Sequence, residues 1–173
     1  MGLLQKLVPL AERPAALDVA DDPQAVLAPV SGRVVALEDL PDPVFAQGML
    51  GAGLGVRPEG DVAFSPVTGT VTADVKTRHA LLIKASNGAE VLLHVGLDSV
   101  ELRGAGFHAF VRKGEAVRAG DPVLGFDRAL LRSRGMDDTV VVTVSNPEAF
   151  SEVVPARVEK IAAGEPLLRC VER

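Results

Sequence analysis

The stretch that decides the fold is His79-Ala80-Leu81-Leu82-Ile83-Lys84-Ala85-Ser86-Asn87-Gly88-Ala89-Glu90-Val91-Leu92-Leu93-His94-Val95-Gly96-Leu97-Asp98. Two β-like runs, His79 to Ala85 and Glu90 to Gly96, flank Ser86-Asn87-Gly88-Ala89. Asn-Gly is the pair a tight hairpin turn favours, because both central positions of a type I′ turn need positive φ. The spacing therefore predicts two antiparallel strands joined by a two-residue loop. Paired positions then sum to 175, so Ile83 faces Leu92, Leu81 faces His94 and His79 faces Gly96. His79 and His94 share a sheet face as diagonal neighbours, about 7–8 Å apart at the backbone, which two rings can close. Leu81, Ile83 and Leu92 accompany them, while Ala80, Leu82, Val91, Leu93 and Val95 line the other face. A loop longer or shorter by one residue would put the two histidines on opposite faces.

Outward from the hairpin, short β-rich runs recur between Gly and Pro signals, and few stretches are long enough for helices. The chain has 173 residues, 47% of them apolar, with 17 Gly and 12 Pro, which suits one buried core and one domain. The expected fold is all-β, an antiparallel β-sandwich with a few short helices. An internal echo supports it, since Pro29-Val30-Ser31-Gly32-Arg33-Val34 returns as Pro66-Val67-Thr68-Gly69-Thr70-Val71, each reading as a turn followed by a strand. Helix starts are signalled at Asp42-Pro43, at Asp127 with Gly135 as the stop, and at Asn146-Pro147. Residues 11–24 mix Pro, Asp, Ala and Glu without an apolar period, so 1–24 is expected to be a flexible N-terminal segment and linker and 25–173 the domain. The start, Met1-Gly2-Leu3-Leu4-Gln5-Lys6-Leu7-Val8-Pro9, reads as a frayed tail or as one amphipathic turn making a weak membrane contact.

Composition narrows the function. With 18 Lys+Arg against 23 Asp+Glu, the net charge of −5 leaves no basic footprint for nucleic acid. One cysteine, Cys170, gives no disulfide framework, which suits a cytoplasmic protein and makes this residue an incidental one near the chain end. The longest uncharged stretch, Pro43 to Val56, is 14 residues with four Gly, too short to cross a bilayer. Aromatics are 3% and histidines number three, at 79, 94 and 108. The chemistry thus centres on the hairpin pair. A neutral imidazole nitrogen is a nucleophile near pH 7 and can carry a covalent adduct, a phosphoryl group included, while a second imidazole donates a hydrogen bond to it. Thr77, two residues before His79, is placed to hold its tautomer, and Asp98 to meet a basic partner. Two histidines fall short of the three protein ligands a catalytic zinc normally has, and neither a zinc-type His-Glu-x-x-His motif nor a Cys cluster is present, so no permanent metal is expected. Two rivals stand beside this reading: a biotinyl- or lipoyl-like carrier, suggested by Lys113 to Leu124, and an interaction domain with both histidines buried.

Val91-Leu92-Leu93-His94-Val95-Gly96-Leu97-Asp98-Ser99-Val100-Glu101-Leu102, preceded by Thr77-Arg78-His79-Ala80 and Leu40-Pro41-Asp42-Pro43-Val44-Phe45, resembles the glucose-type enzyme IIA of the bacterial phosphoenolpyruvate-dependent sugar phosphotransferase system. The resemblance covers Val26 to about Val171, and Met1 to Leu7 is similar to the start of stand-alone members. It implies a phosphocarrier that takes a phosphoryl group from phospho-HPr on His94 and passes it to a cysteine of a sugar-specific IIB domain. By the same resemblance His79 hydrogen-bonds the phosphoryl oxygens, Thr77 orients His79, and Gly96 gives a close backbone approach. Asp42 and Asp98 border a docking patch of Val44, Phe45, Met49, Leu50, Leu82, Leu92 and Val100, with Phe45 its only aromatic. Arg78, Leu82 and Leu92 depart from the residues frequent in that family, and no cofactor is implied.

Overall fold

Runs of β-branched and leucine residues broken by Gly and Pro favour strands over helices, because branched side chains suit a pleated surface. A computed structural model describes residues 13–173, in which fourteen strands form. They are β1 (Ala25–Leu27), β2 (Gly32–Ala36), β3 (Ala52–Pro58), β4 (Val62–Phe64), β5 (Gly69–Asp74), β6 (Ala80–Ala85), β7 (Glu90–Val95), β8 (Phe107–Ala109), β9 (Ala116–Val117), β10 (Pro122–Phe126), β11 (Val140–Val144), β12 (Glu152–Pro155), β13 (Lys160–Ile161) and β14 (Pro166–Val171). An eight-stranded sheet of order β13-β2-β3-β11-β7-β6-β5-β9 is accompanied by two three-stranded sheets, β1-β14-β12 and β4-β10-β8. The pairings are antiparallel throughout.

The main core lies on one face of the large sheet. Leu81 and Ile83 of β6, Val91, Leu93 and Val95 of β7, and Val140, Val142 and Val144 of β11 pack with Val123 and Leu124 of β10 and Leu167, Leu168 and Cys170 of β14. Each fully buried aliphatic side chain is worth about 1.5–3 kcal/mol in removed apolar surface. Cys170 is therefore a core residue and not the incidental one expected; burial also pushes its thiol pKa up.

β11 is buried on both faces, because a second, smaller cluster forms on the opposite side of the sheet. There Val141 packs with Leu37, Leu40, Phe45 and Leu97. The roof over it is a 3-10 turn at Leu37–Asp39 followed by α1 (Pro43–Ala46). Asp42 caps α1 by accepting from Val44 N at 2.9 Å, and Pro43 opens the helix. The second expected start also forms, as α2 (Arg128–Ser133), with Asp127 accepting from Leu130 N at 3.0 Å. The third gives only a 3-10 turn at Pro147–Ala149, and Asn146 makes no cap bond. Its side chain works elsewhere, on the hairpin tip.

The tip shows why the register differs from the expected one. β6 and β7 pair with positions summing to 174, so Ala80 faces His94, Leu81 faces Leu93 and Leu82 faces Leu92. Ser86, Asn87 and Gly88 form a three-residue loop in which only Gly88 takes positive φ, at 90°. Asn146 holds it in that form, accepting from Glu90 N at 2.8 Å and donating to Gly88 O at 3.0 Å. A tertiary contact thus overrides the local Asn-Gly preference. The faces of β6 are exchanged as a result: Leu81 and Ile83 enter the main core, while Leu82 lies with Leu92 and His94 on the outer face.

The two echoed segments do start strands, at Gly32 and Gly69, and they exchange bonds with each other's surroundings, Leu27 N donating to Pro66 O and Phe64 N to Pro29 O. Residues 13–24, read as linker, touch the body: Leu17 N donates to Gly120 O at 2.9 Å, and Arg169 pairs with Asp22 at 3.0 Å. The amphipathic start falls in residues 1–12, outside the described residues.

The register has a direct test in stability. Leu93→Ala removes a fully buried core side chain and is expected to cost about 2–5 kcal/mol in urea unfolding. Leu82→Ala, at a half-buried outer position, should cost under about 1.5 kcal/mol. The register expected from spacing places Leu82 and Leu93 on one face and predicts similar costs.

Candidate functional site

His94 projects from β7 onto the outer face, where its neighbours are rings. Its centroid lies 4.9 Å from that of His79, at 83° between planes, and 5.1 Å from that of Phe45, at 69°. Edge-to-face packing of this kind is the favoured aromatic geometry. Strict alternation at a position sum of 174 would send the His79 ring to the core face, away from His94. His79 escapes this because β6 begins one residue later, at Ala80, and because Arg78 just before it is left-handed, with φ 58°. Its carbonyl still accepts from Val95 N, while its ring meets both His94 and Phe107, the latter at 6.3 Å. The two histidines do come together, but at a strand end and not as diagonal partners within regular sheet.

The local bonds fix each ring. Thr77 Oγ1 lies 2.6 Å from His79 Nδ1. On His94, Nδ1 is buried and has no hydrogen-bond partner among the described residues, while the Gly96 backbone favours the protonated form of the ring. Nε2 is left as the outward nitrogen of a half-buried side chain. Gly96 is left-handed, with φ 76°, and an added Cβ would lie 3.1 Å from Ser99 Cβ and 3.3 Å from Asp137 O. A side chain at 96 would therefore be strained in both conformation and space.

Electrostatics keep both rings neutral near pH 7. Burial lowers the pKa of His79. Burial, then the neighbouring His79, push His94 down to about 4, and the Gly96 backbone and the Asp42 charge offset part of this. Asp98 is exposed at the head of the 3-10 turn Ser99–Leu102. Among the described residues, no three His, Cys, Asp or Glu side chains converge as metal ligands. His108 stands apart, stacked edge-on to Phe110 at 4.9 Å.

The expected patch divides. Met49 is 69% exposed, Val100 53%, Val44 38% and Leu50 37%, so these four lie at the surface. Leu82 and Leu92 are half-buried on the outer face. Phe45 is only 2% exposed, so it is the support of the His94 ring and not the exposed aromatic of the patch. Sequence reasoning missed the strut behind Gly96. Gly96 N donates to Thr139 O and Leu97 N to Asp137 O, both at 2.9 Å, and Asp137 Oδ1 accepts from Thr139 N and Thr139 Oγ1 at 2.8 and 2.5 Å. The Asp-x-Thr spacing was the available signal, since Asp accepting from the amide two residues on is an Asx-turn.

The profile of the family described as "phosphoenolpyruvate-dependent sugar phosphotransferase system, EIIA 1" matches residues 24–150. The chain belongs to this family. As an EIIA of the glucose type it is a phosphocarrier component of sugar uptake. The EIIA is 41% identical over 140 residues to the glucose-specific EIIA component of Oceanobacillus iheyensis, covering 81% of this chain and 85% of that protein. It is 40% identical over 130 residues to the glucose-specific EIIA component of Bacillus cereus, covering 75% and 79%. The beta-glucoside-specific EIIBCA component of Dickeya chrysanthemi is 38% identical over 162 residues, which is 94% of this chain but 26% of that longer protein. Among solved structures, glucose permease IIA from Mycoplasma capricolum superposes with a TM-score of 0.72 at 30% identity, over 83% of this chain and 93% of that one. The antiparallel sandwich is thus the EIIA fold.

The shifted pKa of His94 makes a prediction for this EIIA. A histidine with a depressed folded pKa binds fewer protons than in the unfolded chain, so stability is lost as pH falls from the ordinary 6.5 to about 4 and levels off below. The loss from His94 is on the order of 3 kcal/mol. A histidine NMR titration should show His94 neutral until pH approaches 4. A midpoint near the ordinary 6.5 would contradict the burial argument.

Proposed function

We propose that His94 carries the phosphoryl group, through Nε2. The observation that supports this most is the state of the ring: half-buried, neutral, with Nδ1 enclosed and Nε2 outward beside a second neutral imidazole. A proton on Nδ1 leaves the lone pair on Nε2. That pair attacks phosphorus in line as the bond from phosphorus to the histidine of phospho-HPr breaks, and the pair of that bond returns to the HPr ring. The His94 ring becomes formally cationic, keeps its Nδ1 proton, and the Gly96 carbonyl is the nearby acceptor for it. Thr77, donating its hydroxyl proton to His79 Nδ1, leaves the His79 proton on Nε2, where it is offered to a phosphoryl oxygen. In the second step a cysteine thiolate of IIB attacks phosphorus and the bond to His94 Nε2 breaks, restoring the ring.

The partners are HPr as donor and a IIB domain as acceptor. Relatives named EIIBCA, in which this unit is part of a longer chain, support the IIB partnership. Val44, Met49, Leu50 and Val100 supply the apolar contact, with Leu82 and Leu92 behind them and Asp42 and Asp98 facing basic groups of the partners. The phosphocarrier domain is drawn over 25–173, because β1 and β14 pair to close the sandwich at its two ends. The reaction is placed in the cytoplasm, and any membrane contact falls to the N-terminal segment.

Incubation with phosphoenolpyruvate, enzyme I and HPr should give an acid-labile, base-stable phosphate on the protein. His94→Ala should abolish the label. His79→Ala should keep it yet pass it to IIB much more slowly, by roughly a hundredfold if the second imidazole acts as a general acid and charge stabiliser. No label on the wild-type protein would overturn the proposal.

A further inference from the structure

Resting on the reading of His94 as acceptor, we infer that Asp137 is a positioning residue for phosphoryl transfer, holding the Gly96 carbonyl where it keeps the His94 proton on Nδ1 and leaves Nε2 free. Asp137 touches neither histidine ring and acts through the backbone.

The chain of contacts is continuous. Asp137 Oδ1 accepts two bonds from one residue, the amide and hydroxyl of Thr139, at 2.8 and 2.5 Å. Both bonds close within three residues, so they lock the carbonyls of Asp137 and Thr139 in one orientation. Those carbonyls accept from Leu97 N and Gly96 N, the two amides that follow Val95 at the end of β7. Gly96 packs close to the strut, since a Cβ added there would lie 3.3 Å from Asp137 O. From the other side Ser99 Oγ donates to Val95 O at 2.6 Å. The peptide carrying the Gly96 carbonyl is thereby gripped by its neighbours, two residues along from a His94 Nδ1 that is buried and has no hydrogen-bond partner among the described residues.

The neighbouring acid has a different task. Asp138 faces Arg128 and Arg132 of α2, at 3.5 and 3.3 Å, and ties that helix to the same loop. Asp137 is in no ion pair among the described residues, and its charge does not figure among the influences on His94. Its role is that of a doubly accepting oxygen, which an amide oxygen can fill. A purely electrostatic role would require the carboxylate, and a purely structural role would leave the His94 tautomer untouched.

The test reads His94 directly. In the wild-type free protein, long-range 1H–15N spectra should show the proton on Nδ1 alone. Asp137→Ala should give a mixture of tautomers, a titration midpoint moved further down from about 4 because the Gly96 contact that favours the protonated ring is loosened, and slower phosphoryl uptake, by roughly ten- to a hundredfold in kcat with little change in KM for phospho-HPr. Asp137→Asn should restore the wild-type spectrum and rate. Should Asp137→Ala fail to fold, Thr139→Val keeps the shape and removes one of the two bonds, and a partial shift to mixed tautomers is expected. Wild-type His94 tautomer and titration in a folded Asp137→Ala, or in Thr139→Val, would overturn the inference, as would failure of Asp137→Asn to restore either. The tautomer measurement needs no phosphate, so a wild-type protein that takes no label would count against His94 as acceptor and leave the strut standing on its spectra.

Discussion

An imidazole that acts as a nucleophile near neutral pH, the role proposed for His94, must be kept from its own proton without being hidden from its partner, and the outer face of this sheet meets that constraint. Water is removed from His94 by two other rings, His79 and Phe45, each meeting it edge to face. Neither brings a charge, so the neutral form is favoured by burial and by the proximity of a second basic ring. A carboxylate in direct contact would do the opposite, drawing a proton onto the ring. Asp42, the acid among the described residues whose charge acts on the ring, has its carboxylate engaged in capping α1 and offsets only part of the shift.

The same constraint explains why the protein builds a second apolar cluster outside the main core. The exposed side of β7 and β11 would otherwise leave His94 in solvent. Leu37, Leu40, Phe45, Leu97 and Val141 form a small packed layer there, carried by a 3-10 turn and a four-residue helix. Phe45 thus buttresses the ring from within, while the more exposed Val44, Met49 and Leu50 follow from the same segment. One short stretch of chain both desolvates the histidine and presents the exposed apolar side chains of the proposed docking patch.

Much of this was legible in the sequence, though the reasons were partly different. Gly and Pro punctuation with β-branched runs marked an all-β fold, and Asp42-Pro43 and Asp127 marked two helices that form with their caps. The pairing of His79 with His94 was expected from a register that the protein does not use. Asn146 comes from far along the chain to hold the hairpin tip in its three-residue form, an interaction that no local pattern contains. The rings meet anyway because Arg78 breaks the strand, freeing His79 from the alternation that would have hidden it. Spacing paired Leu92 with Ile83; in the sheet Leu92 pairs with Leu82 instead, a residue that the resemblance put in the same patch. Burial of Phe45 was not legible, since an apolar residue after a capped turn fits a docking patch as well as a buttress. Asp137 and Thr139 carry no mark of this role in the sequence, because their bonds to each other look local and their consequence appears only when β7 is folded against them.

Whether phosphate resides on one nitrogen of one histidine, as proposed for His94, is tested most directly by 31P–15N coupling in protein labelled at histidine and phosphorylated through enzyme I and HPr. A single coupled nitrogen, His94 Nε2, with the proton retained on Nδ1, is expected. Phosphorus coupled to His79, to His108, or to Nδ1 of His94 would contradict it.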